Sequence, residues 1–119
     1  MHELSIAQSI LDALEGEQAN RPGVRLRKVA LRIGELAGVD PEALRFAFEI
    51  LVKDSRWDPL ELEIEWCPRQ QKCPRCGDTF AVGEFDCSCP RCGEARTTCI
   101  AGDELDIAYL EVEEPCACL

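Results

Sequence analysis

Two segments of this sequence repeat one another: Lys72-Cys73-Pro74-Arg75-Cys76-Gly77 and Ser88-Cys89-Pro90-Arg91-Cys92-Gly93. Each CxxC pair can present two thiolates from one tight turn. Proline between the cysteines pre-sets φ for that turn, and the glycine after the second cysteine accepts φ > 0, so the chain can reverse. The two pairs are separated by twelve residues. Four soft thiolates in a tetrahedron suit Zn²⁺, and such a site is closed to substrate. Iron is the competing metal, because an S₄ site also holds it. A redox role fits less well, since a thioredoxin-type CxxC normally stands alone beside a βαβ unit. The expected ligands are therefore Cys73, Cys76, Cys89 and Cys92. Cys87 lies close enough to Cys89 to replace it, but the repeat favours Cys89. Cys67 and Cys99 stand outside the repeat. Cys116 and Cys118 form a CxC that could bind a soft metal weakly and reads more simply as free thiols in a loose tail.

The other chemistry lies at the amino terminus, which reads Met1-His2-Glu3. A lone histidine is usually incidental, and His2 is the chain's only one. Its position changes that reading. Initiator methionine is usually removed only before small residues, so Met1 stays. The Met1 α-amine, the His2 amide and the His2 imidazole can then chelate in one plane. Square-planar nitrogen sites suit Ni²⁺ or Cu²⁺. Glu3 follows directly and could supply an oxygen or shape the surroundings. The amine and the imidazole must lose protons to bind, so affinity should fall as pH drops toward the histidine pKa.

Charge and composition exclude several alternatives. The net charge is −10. Residues 67–100 carry +1 and the remainder −11. Zinc on four thiolates would add about −2 to the cysteine segment. Phosphate neutralisation drives most non-specific DNA binding, and this chain does not offer it, so no nucleic-acid partner is expected. Nine cysteines without a secretory leader point to metal rather than disulfides. The acidic, non-basic start does not read as a signal peptide, and no window has the apolar length to cross a bilayer, so the expected address is the cytoplasm. There is no nucleophile–base pair and no phosphate loop, and no enzymatic activity is expected.

The elements that would carry these residues follow from periodicity. Residues 4–15 read as an amphipathic helix with Leu4, Ala7, Ile10, Leu11 and Leu14 buried, broken by Gly16, Pro22 and Gly23. Residues 24–33 read as a strand, with Val29, Leu31 and Ile33 on one face and Lys28 and Arg32 on the other. Asp40-Pro41 reads as a helix start, with an acid at the N-cap and proline at the first helical position. That helix should run to about Lys53 on a stripe of Leu44, Ala47, Phe48 and Leu51. Residues 60–66 alternate strictly, Leu60, Leu62, Ile64 and Trp66 against Glu61, Glu63 and Glu65. Pairing with the first strand would set those acids opposite Lys28 and Arg32. Residues 67–100 are rich in cysteine, proline and arginine, with little periodicity, and residues 104–113 return to strand character. The expected class is α+β: a three-stranded sheet and two helices in αβαββ order, with a cysteine insert between the last two strands. Strands flanking an insert can pair as neighbours. The domain expectation is residues 1–66 plus 101–119 for one unit and 67–100 for the other.

Taken together, Met1-His2-Glu3, the LSIAQSIL helix, VALRIGELAGVDPEALRFAFEIL, the twin CPRCG knuckles and GDELDIAYLEVE resemble the HypA/HybF family of nickel metallochaperones over nearly the whole chain. The resemblance implies nickel at His2 and its neighbours Met1 and Glu3, as transferred cargo, and structural zinc at Cys73, Cys76, Cys89 and Cys92. It implies a partner GTPase of the HypB type and delivery to a [NiFe] hydrogenase large subunit, in some organisms also supply of urease. An acidic residue at the position of Asp40 is a further nickel-ligand candidate, although the N-cap role also fits it. A monomer or weak homodimer is expected. The competing reading is a zinc-ribbon module that binds protein or nucleic acid, with a rubredoxin-like iron carrier as a third.

Overall fold

A computed structural model describes residues 2–82 and 86–113, with side chains from Glu3 onward. The readings made on the Met1 amine, the His2 imidazole, Cys116 and Cys118 lie outside the described residues. The element order is α1 (His2–Asn20), β1 (Arg25–Gly34), a 3-10 turn (Glu35–Ala37), α2 (Pro41–Val52), β2 (Glu61–Cys67), β3 (Gln70–Lys72), β4 (Thr79–Ala81), β5 (Thr98–Ala101) and β6 (Leu105–Glu113). The class is α+β, with one sheet in the order β2-β1-β6 and a second in the order β4-β3-β5. No helix of the described residues is long and apolar enough to cross a membrane.

The chain divides into two compact units. One draws on the described parts of Met1–Leu31, Val39–Glu65 and Ile107–Leu119, the other on Arg32–Gly38 and Trp66–Asp106.

In the first unit α1 packs on α2. Ala7, Ile10, Leu11 and Leu14 are buried from α1, and Leu44, Ala47, Phe48 and Val52 from α2. Burying a side chain such as Phe48 or Leu14 contributes roughly 1.5–3 kcal/mol each. The stripes differ from expectation at both ends. Leu4 is 41% exposed, because it sits in the first turn of α1, beyond the packed stretch. On α2, Val52 takes the buried place expected for Leu51, which is half-buried. Gly16 does not break α1. It sits on the exposed face, and the helix formers Glu17, Gln18 and Ala19 carry the helix on to Asn20 at a cost of about 1 kcal/mol for the glycine. Pro22 is what stops it, by disfavouring helical backbone at the residue before it.

The sheet order corrects the strand pairing. The strands flanking the insert, β2 and β6, are not neighbours, because β1 lies between them. The physical reason is burial. Val29, Ala30 and Leu31 are at most 2% exposed, and a continuous apolar run of this kind belongs at a sheet's centre. Two basic residues of β1 pair with acids on β6. Lys28 pairs with Glu111 at 3.4 Å, and Arg32 makes a two-pronged pair with Asp106, at 2.9 and 3.3 Å. Tyr109 on β6 donates its hydroxyl to Glu63 on β2, across β1. Trp66, expected on the buried face of β2, is 47% exposed.

The second unit is built on three short strands. β3 pairs antiparallel with β4 through Lys72↔Thr79 and with β5 through Lys72↔Thr98, with a register shift between Gln70 and Gln71. The loop after β1 belongs to this unit. Gly34 N–H donates to the Glu104 carbonyl at 2.7 Å, Leu36 N–H to the Gly102 carbonyl at 2.6 Å, and Arg69 N–H to the Glu35 carboxylate at 3.0 Å. The backbones meet so closely that a Cβ on Gly34 would lie 2.1 Å from the Gly102 carbonyl oxygen.

Candidate metal centres

The first knuckle is the loop of the β3–β4 hairpin. The Cys73 N–H donates to the Asp78 carbonyl at 2.8 Å, and the Gly77 N–H donates to the Cys73 carbonyl at 2.8 Å. The second knuckle reproduces this arrangement. The Cys89 N–H donates to the Glu94 carbonyl at 2.9 Å, and the Gly93 N–H to the Cys89 carbonyl at 2.9 Å. Gly77 and Gly93 have φ of +77° and +81°, a conformation glycine adopts without strain. One sequence repeat thus becomes one local structure built twice.

The two turns aim their sulfurs at a common point. The Sγ atoms of Cys73, Cys76, Cys89 and Cys92 all lie within 4.8 Å of one another. Cys73 and Cys92 are 3.5 Å apart, and Cys76 and Cys89 are 3.6 Å apart. Four sulfurs about 2.3 Å from a tetrahedral zinc stand roughly 3.8 Å from each other. The cluster therefore fits a structural zinc site, with thiolate donors only and no side open to a substrate. Cys73 and Cys89 are buried, and Cys76 and Cys92 are more open.

The thiols are not equivalent before metal arrives. At Cys73 burial opposes ionisation, but the backbone N–H groups of Cys76 and Arg75 and the thiols of Cys92 and Cys76 outweigh it, and its pKa falls to about 7. At Cys92 the Glu94 backbone N–H favours the thiolate. Hydrogen bonding to Cys73, burial, and the Cys89 and Cys76 sulfurs overcome that, and its pKa rises to about 12. Cys76 is likewise raised: the Asp78 backbone favours ionisation, while burial and the Cys89 and Cys73 sulfurs oppose it more strongly. Cys73 leads, while Cys76 and Cys92 hold their protons until a cation displaces them.

Cys87 is not in this group. Its Sγ accepts from the Arg69 guanidinium at 3.1 Å. Its carbonyl accepts from the Thr97 hydroxyl at 2.5 Å, Thr97 Oγ1 accepts from the Gln71 amide at 3.0 Å, and Gln71 Oε1 accepts from Arg69 Nε at 3.4 Å. The four residues close a ring that fixes the backbone leading into Cys89. Sequence reasoning missed Arg69, Gln71 and Thr97. The signal available was Gln71, a polar residue at a strand position one step before a knuckle, which the structure leaves 3% exposed. Cys99 is exposed on β5 and bonds the Ala101 carbonyl at 3.3 Å, and Cys67 is half-buried at the end of β2.

At the other candidate centre, α1 begins at His2. Glu3, in its first turn, accepts through Oε2 from the Asp40 N–H at 3.3 Å. Asp40 is the N-cap of α2, and its Oδ1 accepts from the Glu42 and Ala43 N–H groups at 3.0 and 3.4 Å. Pro41 follows at the first helical position, as Asp-Pro predicts. Two of the acidic residues picked out by sequence, Glu3 and Asp40, are thereby brought together from positions 37 residues apart.

A family model described as "Hydrogenase/urease nickel incorporation, metallochaperone, hypA" matches residues 1–112. A hydrogenase maturation factor HypA from Acidithiobacillus ferrooxidans is 42% identical over 113 residues, covering 95% of this chain and 100% of the relative. The HypA of Alkalilimnicola ehrlichii is 42% identical with the same coverage, and that of Chlorobaculum parvum is 37% identical over 114 residues. Among solved structures, the nickel metallochaperone HypA of Helicobacter pylori superposes with a TM-score of 0.63 at 23% identity, covering 96% of this chain and 99% of that one. A second HypA solution structure gives 0.69 at 23% identity, covering 95% and 97%. These two likenesses speak for the fold.

Proposed function

This chain belongs to the HypA family of metallochaperones for nickel incorporation into hydrogenase and urease, and from that premise we propose that it binds Ni²⁺ at its amino terminus and hands it on during maturation of a [NiFe] hydrogenase. The donors are the Met1 α-amine, the His2 amide and the His2 imidazole, with Glu3 and Asp40 as the acidic residues beside them. Cys73, Cys76, Cys89 and Cys92 hold zinc. Nickel is cargo, zinc is resident, and the protein catalyses no reaction of its own.

The observation that carries this reading is the placement of the chain's only histidine at residue 2, in a sequence whose family match begins at residue 1. A carrier must acquire metal and also release it. A few nitrogen donors at a chain terminus suit that task, whereas a closed cage of four thiolates does not. The assignment divides the work as the domain reading does: residues 1–66 plus 101–119 handle nickel and residues 67–100 handle zinc. The partners that follow are a HypB-type GTPase and a hydrogenase large subunit, in the cytoplasm. Urease is the second recipient.

Nickel titration of the untagged protein, followed by absorption of a square-planar complex, tests the assignment. His2→Ala should abolish specific nickel binding and leave one zinc per chain. An unchanged titration in that variant would sink the reading.

A further inference from the structure

Resting on that amino-terminal nickel reading, we propose that Glu3 and Asp40 serve nickel binding as positioning residues rather than as ligands, by pinning the first turn of α1 to the start of α2. The geometry has three parts. Asp40 Oδ1 is engaged by the Glu42 and Ala43 N–H groups at 3.0 and 3.4 Å. The Asp40 N–H is engaged by Glu3 Oε2 at 3.3 Å. Asp40 itself is held in extended backbone at φ −81°, ψ 113°, the conformation an N-cap requires. The bond from Glu3 therefore lands on the one residue whose own side chain starts α2.

Electrostatics favours this use of both carboxylates. The first N–H groups of a helix have no intrahelical acceptor and carry the positive end of its dipole, about half an elementary charge. Two acids meet that charge at the start of α2. Glu3 also sits in the first turn of α1, where an anion is again favourable. Drawing Glu3 Oε2 or Asp40 Oδ1 onto a metal ion would give up these hydrogen bonds, and turning the other oxygen of either group to a metal would pull the bonded one out of line. The consequence for nickel is entropic. Residue 3 is tied down, so donors on residues 1 and 2 search only the volume within about two residues' reach of it, roughly 3.8 Å per Cα–Cα step. Pre-organised donors lose less freedom on binding and hold metal more tightly.

Substitutions separate holding from ligation. Glutamine keeps an oxygen that accepts the Asp40 N–H bond, and asparagine caps a helix about as well as aspartate does. Neither amide is a good replacement for a carboxylate that binds a divalent ion. Glu3→Gln and Asp40→Asn should hold nickel within about threefold of the parent, while Glu3→Ala and Asp40→Ala weaken it about tenfold or more, a tenfold change being 1.4 kcal/mol. Calorimetric nickel titration gives the affinities. Hydrogen exchange at the Asp40 amide gives the independent readout: protection kept in Glu3→Gln and lost in Glu3→Ala. Zinc content and circular dichroism confirm that each variant is folded. If Glu3→Gln and Asp40→Asn lose nickel as completely as the alanine variants, the carboxylates are ligands and the proposal is wrong. Alanine variants that bind like the parent would equally overturn it. Failure of the underlying reading looks different, because His2→Ala would then still bind nickel.

Discussion

Two weak acids, one in each unit, are displaced in opposite directions. In the cysteine unit, Cys73 is ringed by donors, and its thiol is drawn down to about 7 against the burial that opposes it. In the αβ unit, Tyr109 meets acceptors: its hydroxyl bonds Glu63, burial adds to that, and the Glu63, Glu111 and Glu65 carboxylates lie around it, pushing its pKa up to about 12. The same rule produces both results: a hydrogen bond favours whichever protonation state can make it. In the cysteine cluster one sulfur, Cys73, ionises readily, while Cys76 and Cys92 are pushed the other way. The αβ unit is already anionic and spends its acids on N–H groups, a hydroxyl and two basic side chains.

The sharpest way to break the contrast is to remove the sulfur that leads. Cys73→Ser takes away a fully buried ligand and the thiol that most readily ionises. Structural zinc in comparable small modules is worth about 10–16 kcal/mol of apparent binding free energy, which is folding free energy. Stoichiometric zinc should be lost, and amide protection across β3, β4 and β5 should collapse. Metal analysis and hydrogen exchange check this together. A variant that retained one zinc with β3–β5 still protected would show that donor organisation at Cys73 is dispensable.

A smaller effect is expected where the second unit grips the loop after β1. Gly34→Ala puts a methyl group 2.1 Å from the Gly102 carbonyl oxygen, and backbone on both sides leaves nothing flexible to yield. A destabilisation of about 3 kcal/mol is expected, at the upper end of overpacking, read as a lower denaturation midpoint at unchanged slope. If the loss is confined to the second unit, the Glu3–Asp40 bond survives and Asp40 amide protection stays as in the parent. Loss of that protection too would mean the two regions are less separate than their chemistry suggests.

How much of this was legible in the sequence depends on how local each feature is. The knuckles were fully legible, because a turn, its proline, its glycine and its cysteines lie within six residues. The cap at Asp40 was legible for the same reason, as Asp-Pro carries its own geometry. The centrality of β1 was half-written in KVALRI, where apolar residues run on instead of alternating; its pairing with LELEIEW was legible, and its place between β2 and β6 was not. The Arg69–Gln71–Thr97–Cys87 ring and the meeting of Gly34 with Gly102 were not legible. Each joins residues far apart in the chain through contacts that no period or motif encodes. The bond from Glu3 to Asp40 is of the same kind: both residues stood out individually, and only the packing of α1 on α2 brings them together.

The finest test of the contrast is the titration of Tyr109, and the chain makes it clean, because it holds one tyrosine. Phenolate absorption therefore reports a single residue. The parent should titrate near 12, against about 10 for a free tyrosine. Glu63→Gln removes the charge that bonds the hydroxyl, and the midpoint should fall back toward the free value. The sign for stability follows. The folded pKa is raised, so the contribution of the Tyr109–Glu63 bond is whole below pH 10 and is lost as pH climbs through 12. Denaturation midpoints measured across that interval should fall more steeply in the parent than in Tyr109→Phe, which has no proton to lose. A parent phenol that titrated at the free value would remove the acidic half of the comparison, leaving the cysteine unit, among the described residues, as the place where the fold displaces an acid from its ordinary range.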